Sequence, residues 1–203
     1  MNRLTYTAGL VIALLGLLAV PAAAQSSYGP TGQDVRQGLA IGFGLGFGDI
    51  DCSDCDKTSI DAAGGEFHLG VMLNPQLALG GELWVMVHSE DINDPLVQGT
   101  ITVYHTLITA TATYWLLPRL WVKGGLGAAY ASISFESGDV SFEAQSEAGL
   151  ALMGSAGYEV LTTRRFALDV QFHVGAGFYN SDDEDGAQGS IRNVAFGAGF
   201  TWF

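Results

Sequence analysis

A two-residue alternation of oily with small or polar side chains runs through this chain and restricts it to few folds. Its cleanest instance is Arg165–Tyr179, where Phe166, Leu168, Val170, Phe172, Val174 and Phe178 alternate with Ala167, Asp169, Gln171, His173, Gly175 and Gly177. Successive side chains of a strand point to opposite faces, so this run is a strand with one apolar face and one small or polar face. Eight such runs follow from Gly38 onward, with little helical periodicity between them. Gly38–Gly48 places Leu39, Ile41, Phe43, Leu45 and Phe47 on its oily face. Gly64–Leu73 places Phe67, Leu69, Val71 and Leu73 there, and Leu77–His88 places Leu77, Leu79, Leu83, Val85 and Val87. The run within Thr100–Leu116 has two competing phases, one set by Ile101, Val103 and Leu107, the other by Tyr104, Ile108 and Tyr114. Leu120–Ser134 carries Leu120, Val122, Leu126 and Tyr130 outward, and Ala148–Leu161 carries Leu150, Leu152, Tyr158 and Val160. The last run, Ile191–Phe203, carries Val194, Phe196, Phe200 and Trp202 on one face and Ala195, Gly197, Gly199 and Thr201 on the other.

The connections alternate in length. Asn74–Gln76, Pro118-Arg119 and Thr162–Arg164 are tight, whereas Asp49–Asp61, Ser89–Gln98, Phe135–Glu147 and Asn180–Ser190 are long. Strands of about ten residues, even in number, with short turns on one side and long loops on the other, describe a transmembrane β-barrel. At 203 residues the chain suits a single domain, and its charge of -13 opposes nucleic acid as a partner. After the N-terminus no apolar run of about 18 residues appears, so a helical membrane protein is not expected. Met1–Ala24 reads as a secretory signal peptide, with Arg3 at its positive start, Leu10–Val20 as its apolar core and Ala22–Ala24 as the small-residue cleavage site; an uncleaved anchor helix is the competing reading. The expected domains are therefore the signal peptide at 1–24, a periplasmic lead-in at 25–37 and the transmembrane β-barrel at 38–203. Loss of Arg3 leaves the mature chain at -14.

With its exported start, eight alternating runs, alternating connections and final aromatic Phe203, the mature chain resembles the small OmpA/OmpX-type eight-stranded outer-membrane β-barrel proteins, of the outer-membrane β-barrel domain family, among the porin-like proteins of the Gram-negative envelope. The resemblance implies an all-β, antiparallel up-and-down barrel, integral in the outer membrane, with both termini periplasmic. It also implies that Phe200, Trp202 and Phe203 form the signal read by the barrel-assembly machinery. Phe203, however, is in phase with Thr201, so either the last strand bulges or the terminal ring turns aside.

An eight-stranded barrel is narrow enough to be filled by side chains. The expected inward polar set is Glu66, His68, Glu82, Lys123, Glu159, Asp169, Gln171 and His173. Reflection about the turn near Pro75 puts His68 opposite Glu82, and a charge-assisted hydrogen bond between them is expected. Lys123, Glu159 and Asp169 are expected together near the periplasmic end. Interior charge pairs closing a plugged core are one reading of this set, and a proton path is the other.

Sixteen of the 21 acidic residues fall in the four long connections, including Asp182, Asp183, Glu184 and Asp185. They read either as a solvated, repulsive rim or as hard oxygen ligands, for example Asp182, Asp183 and Asp185, through which calcium or magnesium bridges to anionic lipopolysaccharide. No other cofactor is expected, and the chain is expected to be monomeric. Catalysis by a lipid A-modifying enzyme would need serine and histidine together on one face. His88-Ser89 point opposite ways, His105 is close only to Thr106, and His173 has no inward serine beside it in sequence. The expected function is thus non-enzymatic, structural or surface-interacting; the alternatives are a narrow channel or ligand-binding barrel, and a lipid A-modifying enzyme.

Cys52 and Cys55 form a C-x-x-C in the first long connection, with no redox-fold context and an oxidising compartment on the export path. They are expected to bond to each other. Non-reducing mass mapping of the native protein should show Cys52 linked to Cys55, and removal of both should barely change barrel stability, because the loop closed is tiny; thiols that label from outside intact cells would refute the pairing.

Overall fold

The structure, a computed structural model, describes residues 36–52, 59–93, 98–137, 140–145, 148–163, 165–180 and 188–203. The expected signal peptide and most of the lead-in lie outside the described residues. Among the described residues there are nine strands: β1 (Gly38–Cys52), β2 (Ile60–Asn74), β3 (Leu77–Asn93), β4 (Gln98–Trp115), β5 (Leu120–Ser137), β6 (Val140–Gln145), β7 (Gly149–Thr162), β8 (Phe166–Asn180) and β9 (Gln188–Trp202). Eight of them close into one antiparallel barrel in the order β1-β2-β3-β4-β5-β7-β8-β9, with β9 returning to pair β1 from Ile41↔Trp202 to Cys52↔Ile191. The all-β, eight-stranded up-and-down architecture is the one the alternation implies.

The outer face is a belt of large apolar side chains, including Phe43, Phe67, Leu83, Leu126, Leu152, Phe172 and Phe196, all exposed. In a barrel that meets lipid this exposure needs no protein partner. β4 adopts the phase of Tyr104 and Ile108: both are exposed, while His105, Leu107, Thr109, Thr111 and Trp115 face inward. The phase set by Ile101, Val103 and Leu107 is therefore the interior one.

Two expectations about connections need correction. Several strands outrun their apolar segments, because ladder hydrogen bonds join backbone groups and do not require oily side chains. Thus β3 continues to Asn93, β4 starts at Gln98, and Phe135–Ser137 still belong to β5. The expected loop Phe135–Glu147 contains β6, which pairs only with β5, from Ser132↔Gln145 to Ser137↔Val140. β9 has no register shift, so the strand does not bulge; Phe203 keeps the phase of Thr201 and turns its ring inward against Trp115.

Inside, large side chains meet glycines. A Cβ on Gly175 would lie 2.6 Å from both Leu107 and Trp84, and one on Gly157 would collide with the indole of Trp121. By contrast nothing lies within 4 Å of a Cβ on Gly124, which faces outward. Gly175→Ala should therefore destabilise the barrel by about 1–3 kcal/mol through overpacking, and Gly124→Ala should stay within about 0.5 kcal/mol. Urea unfolding in lipid vesicles separates them, and equal effects would contradict this packing of the lumen.

Candidate functional site

The lumen is stacked in layers, and the polar layer between two apolar ones holds the chemistry-bearing side chains. Glu66 and His68 on β2, Glu82 on β3, Lys123 on β5, Ser155 on β7, and Asp169, Gln171 and His173 on β8 all face inward. Antiparallel register fixes their heights: Glu82 pairs with His68, Lys123 with Ser155, and Ser155 with His173. Lys123 Nζ lies 2.6 Å from Glu82 Oε2 and 3.8 Å from Glu66 Oε2. Gln171 Nε2 donates to Glu66 Oε1 at 2.9 Å. His173 sits 2.8 Å from Ser155 Oγ through Nδ1 and 3.3 Å from Glu66 Oε2 through Nε2. Lys123 also lies 5.1 Å from the centre of the Trp121 ring, a cation–π contact.

His68 and Glu82 are register partners, but the expected bond between them is not made. Glu82 is taken by Lys123, and His68 turns its Nε2 to Thr201 Oγ1 at 3.2 Å, with Nδ1 3.6 Å from Glu66. In a narrow barrel, long side chains reach across the lumen as readily as along the sheet, so strand register sets height and not partner. Lys123, Glu159 and Asp169 line one cavity toward the short-turn end, and from there Lys123 also reaches Glu82 in the middle cluster. Asp169 stands beside Glu159 in register.

The short-turn end is closed by Ala40, Met72, Ala78, Trp115 and Trp121 with Phe203 packed against them. Arg36, from the segment expected to be only a lead-in, is 1% exposed and plugs this end. It donates to Glu159 Oε2 at 2.6 Å and to Pro118 O at 2.7 Å, and lies 4.8 Å from the centre of the Trp115 ring. Trp115 Nε1 and Thr162 Oγ1 also donate to Glu159, at 2.6 Å and 2.8 Å. Removal of one partner of such a pair leaves an uncompensated buried charge, at about 3–5 kcal/mol.

Toward the long-loop end, Trp84, Met86, Leu107 and Met153 fill the lumen, with Ala129, Ala151 and Ala195 around them. Above this layer His105, expected to be close only to Thr106, is buried between Asn193 Oδ1 and Tyr179 OH, each at 2.9 Å. Ser155 is the further residue that sequence spacing missed: it stands beside His173 across a ladder, not along a strand. The resulting Ser155–His173–Glu66 row has the residue types of a nucleophilic triad, but the cavity against Glu66 and His173 is about 10 Å³, room for about one water. No acyl chain fits there.

Of the residues expected in the loops, Cys52 ends β1 and is disulfide-bonded; Cys55, Asp182, Asp183 and Asp185 lie outside the described residues. Phe200 packs between Phe43 and Phe166, at ring-centre distances of 5.4 Å to each, and Trp202 is exposed on the outer face.

Solved structures share this fold. The attachment invasion locus protein Ail of Yersinia pestis is 15% identical, with 81% of this chain and 99% of that chain covered at a TM-score of 0.53. The same protein in complex with the heparin analogue sucrose octasulfate gives 16%, 81%, 99% and 0.55. Neisserial surface protein A gives 13% identity, 82% and 97% coverage and 0.54. No curated protein matches the chain. The family model described as outer membrane protein beta-barrel domain matches residues 10–202, nearly the whole chain, and with the closed barrel it leads to one conclusion: the protein belongs to the outer-membrane β-barrel domain family and is integral to the outer membrane.

Proposed function

We propose that the protein is a non-enzymatic barrel that anchors an acidic surface outside the cell, with both barrel termini on the periplasmic side. The observation that carries this reading is a lumen filled at successive heights while one wall of the barrel rises past the apolar belt. Arg36, Trp115 and Phe203 close the short-turn end, and Trp84, Met86 and Leu107 fill the section nearer the loops. That packing speaks against a solute path, and the cramped space beside Glu66 and His173 speaks against lipid A chemistry.

The raised wall is the part suited to contact. It comprises the far ends of β3, β4 and β5 with β6, and it displays Glu90, Asp91, Glu136, Phe142 and Glu143. The partner this surface fits is lipopolysaccharide, bridged by calcium or magnesium between its phosphates and these carboxylates. A bare anionic ligand, such as the heparin analogue bound to Ail, would be repelled by it. Phe200, Trp202 and Phe203 serve recognition by the assembly machinery, and the barrel works as a monomer.

In planar bilayers the purified protein should give no stable openings, and sustained single-channel conductance would overturn the closed-barrel reading. Retention on lipopolysaccharide vesicles should require a divalent cation. It should fall several-fold when Glu90→Gln, Asp91→Asn, Glu136→Gln and Glu143→Gln are combined; unchanged retention would overturn the lipopolysaccharide assignment. Loss of Phe203 should slow membrane insertion, and Phe200→Asp should impair it further by placing a charge against lipid. Normal amounts of heat-modifiable folded protein in both variants would refute that role.

A further inference from the structure

We propose that Glu66, Glu82 and His173 form a site for one first-row divalent cation of the zinc type inside the barrel. Ligand atoms from these three residues lie within 4.8 Å of one another, and all three are more than nine-tenths buried. Each side chain has one polar atom held by a neighbour and one left bare. Glu66 Oε1 accepts from Gln171 while Oε2 has no hydrogen-bond partner. Glu82 Oε2 accepts from Lys123 while Oε1 has none. His173 Nδ1 is held by Ser155 while Nε2 has none.

A buried polar atom without a partner is costly. Three of them converging, each on a side chain oriented through its other atom, is the arrangement of ligands held by an outer shell. Ser155 Oγ can accept a hydrogen bond from His173 Nδ1–H, which leaves Nε2 with the lone pair a metal needs. Glu66 Oε2 and His173 Nε2 are 3.3 Å apart, a spacing that one ion at about 2.0–2.2 Å from each would bridge. Glu82 Oε1 lies 4.0 Å from His173 on the Nδ1 side of the ring, so Glu82 completes the set by a side-chain rotation toward Nε2.

Charge points the same way. The described buried residues include Glu66, Glu82, Glu159 and Asp169 but only two cations, Arg36 and Lys123. Arg36 serves Glu159, and Lys123 is shared between Glu82 and Glu66, so four buried carboxylates face two cations, and one divalent ion matches that deficit. One imidazole and two carboxylates favour zinc or its first-row neighbours over calcium, which takes six to eight oxygens. Lys123 competes for the same carboxylates. A cavity of about 40 Å³ lined by His68, Lys123, Asp169 and Glu159 adjoins the cluster on its short-turn side.

The mature chain refolded in detergent with Zn²⁺, then desalted against a weak chelator, should retain one equivalent by elemental analysis. Glu66→Gln with His173→Gln should lose it while remaining heat-modifiable on gels. Ser155→Ala should weaken binding by about 10- to 100-fold, as loss of an outer-shell partner does, and Lys123→Met should tighten it. Acidic loops also bind cations, so Zn²⁺ retained equally by the double variant would assign the ion to the loops and overturn the site. Absence of retained Zn²⁺ in the wild-type protein would overturn it as well. Should the double variant fail to fold, Co²⁺ on the wild-type barrel decides: visible absorption and a shifted imidazole proton resonance are expected, and their absence refutes the proposal. None of these readouts depends on lipopolysaccharide binding or conductance, so the surface reading stands or falls separately.

Discussion

Every backbone N–H and C=O that crosses lipid must find its partner within the protein, and in this molecule the pairing of β1 with β9 meets that demand. Without it the sheet would present two edges to hydrocarbon, each unpaired group there at a cost of several kcal/mol. The seam runs from Ile41↔Trp202 to Cys52↔Ile191 without interruption. Its inward side is made of small residues: Gly42, Gly44, Gly46 and Gly48 on β1 face Thr201, Gly199, Gly197 and Ala195 on β9. Gly46 and Gly197 leave room for the opposite backbone, since a Cβ on Gly197 would collide with Leu45 O. Closure at this seam fixes the lumen's width, and all that the lumen contains must fit it.

Much of this was legible in the residues because a barrel wall has two chemically unlike faces. Lipid on one side and a crowded lumen on the other impose a period of two on every strand, and Phe166–Tyr179 shows it almost without exception. The wall's limits were less legible. Beyond the apolar belt β6 does alternate, Val140, Phe142 and Ala144 with Ser141, Glu143 and Gln145, but over six residues inside an acidic connection this run is too short to stand out. In β4 the signal was divided because Leu107 is an apolar residue on the lumen side: it packs against Trp84 and Met86, and its phase mimics that of a lipid-facing strand.

The interior was legible as a list and not as a set of partnerships. Alternation places Glu66, Glu82, Lys123 and His173 inside, yet it says nothing of which side chains meet across a narrow lumen. Lys123 on β5 reaches past β4 to Glu82 on β3, and Ser155 meets His173 through a ladder pair separated by 18 residues. Arg36 lay hidden for a different reason. A single arginine in a polar leader has no pattern around it, and its role appears only once Glu159, Trp115 and Phe203 are brought to the same mouth.

That mouth also sets an order on assembly. Its parts come from positions 36, 115, 159 and 203, so the contact joins stretches of chain that only a completed ring brings together. Closing so long a loop has an entropic cost that local hairpins do not bear. A half-zipped sheet can hold β2 against β3, or β8 against β9, with no plug at all. The stack of Arg36 on Trp115 and Phe203 is therefore a certificate of closure: indole emission from Trp115 reports the last event of folding and is blind to the first.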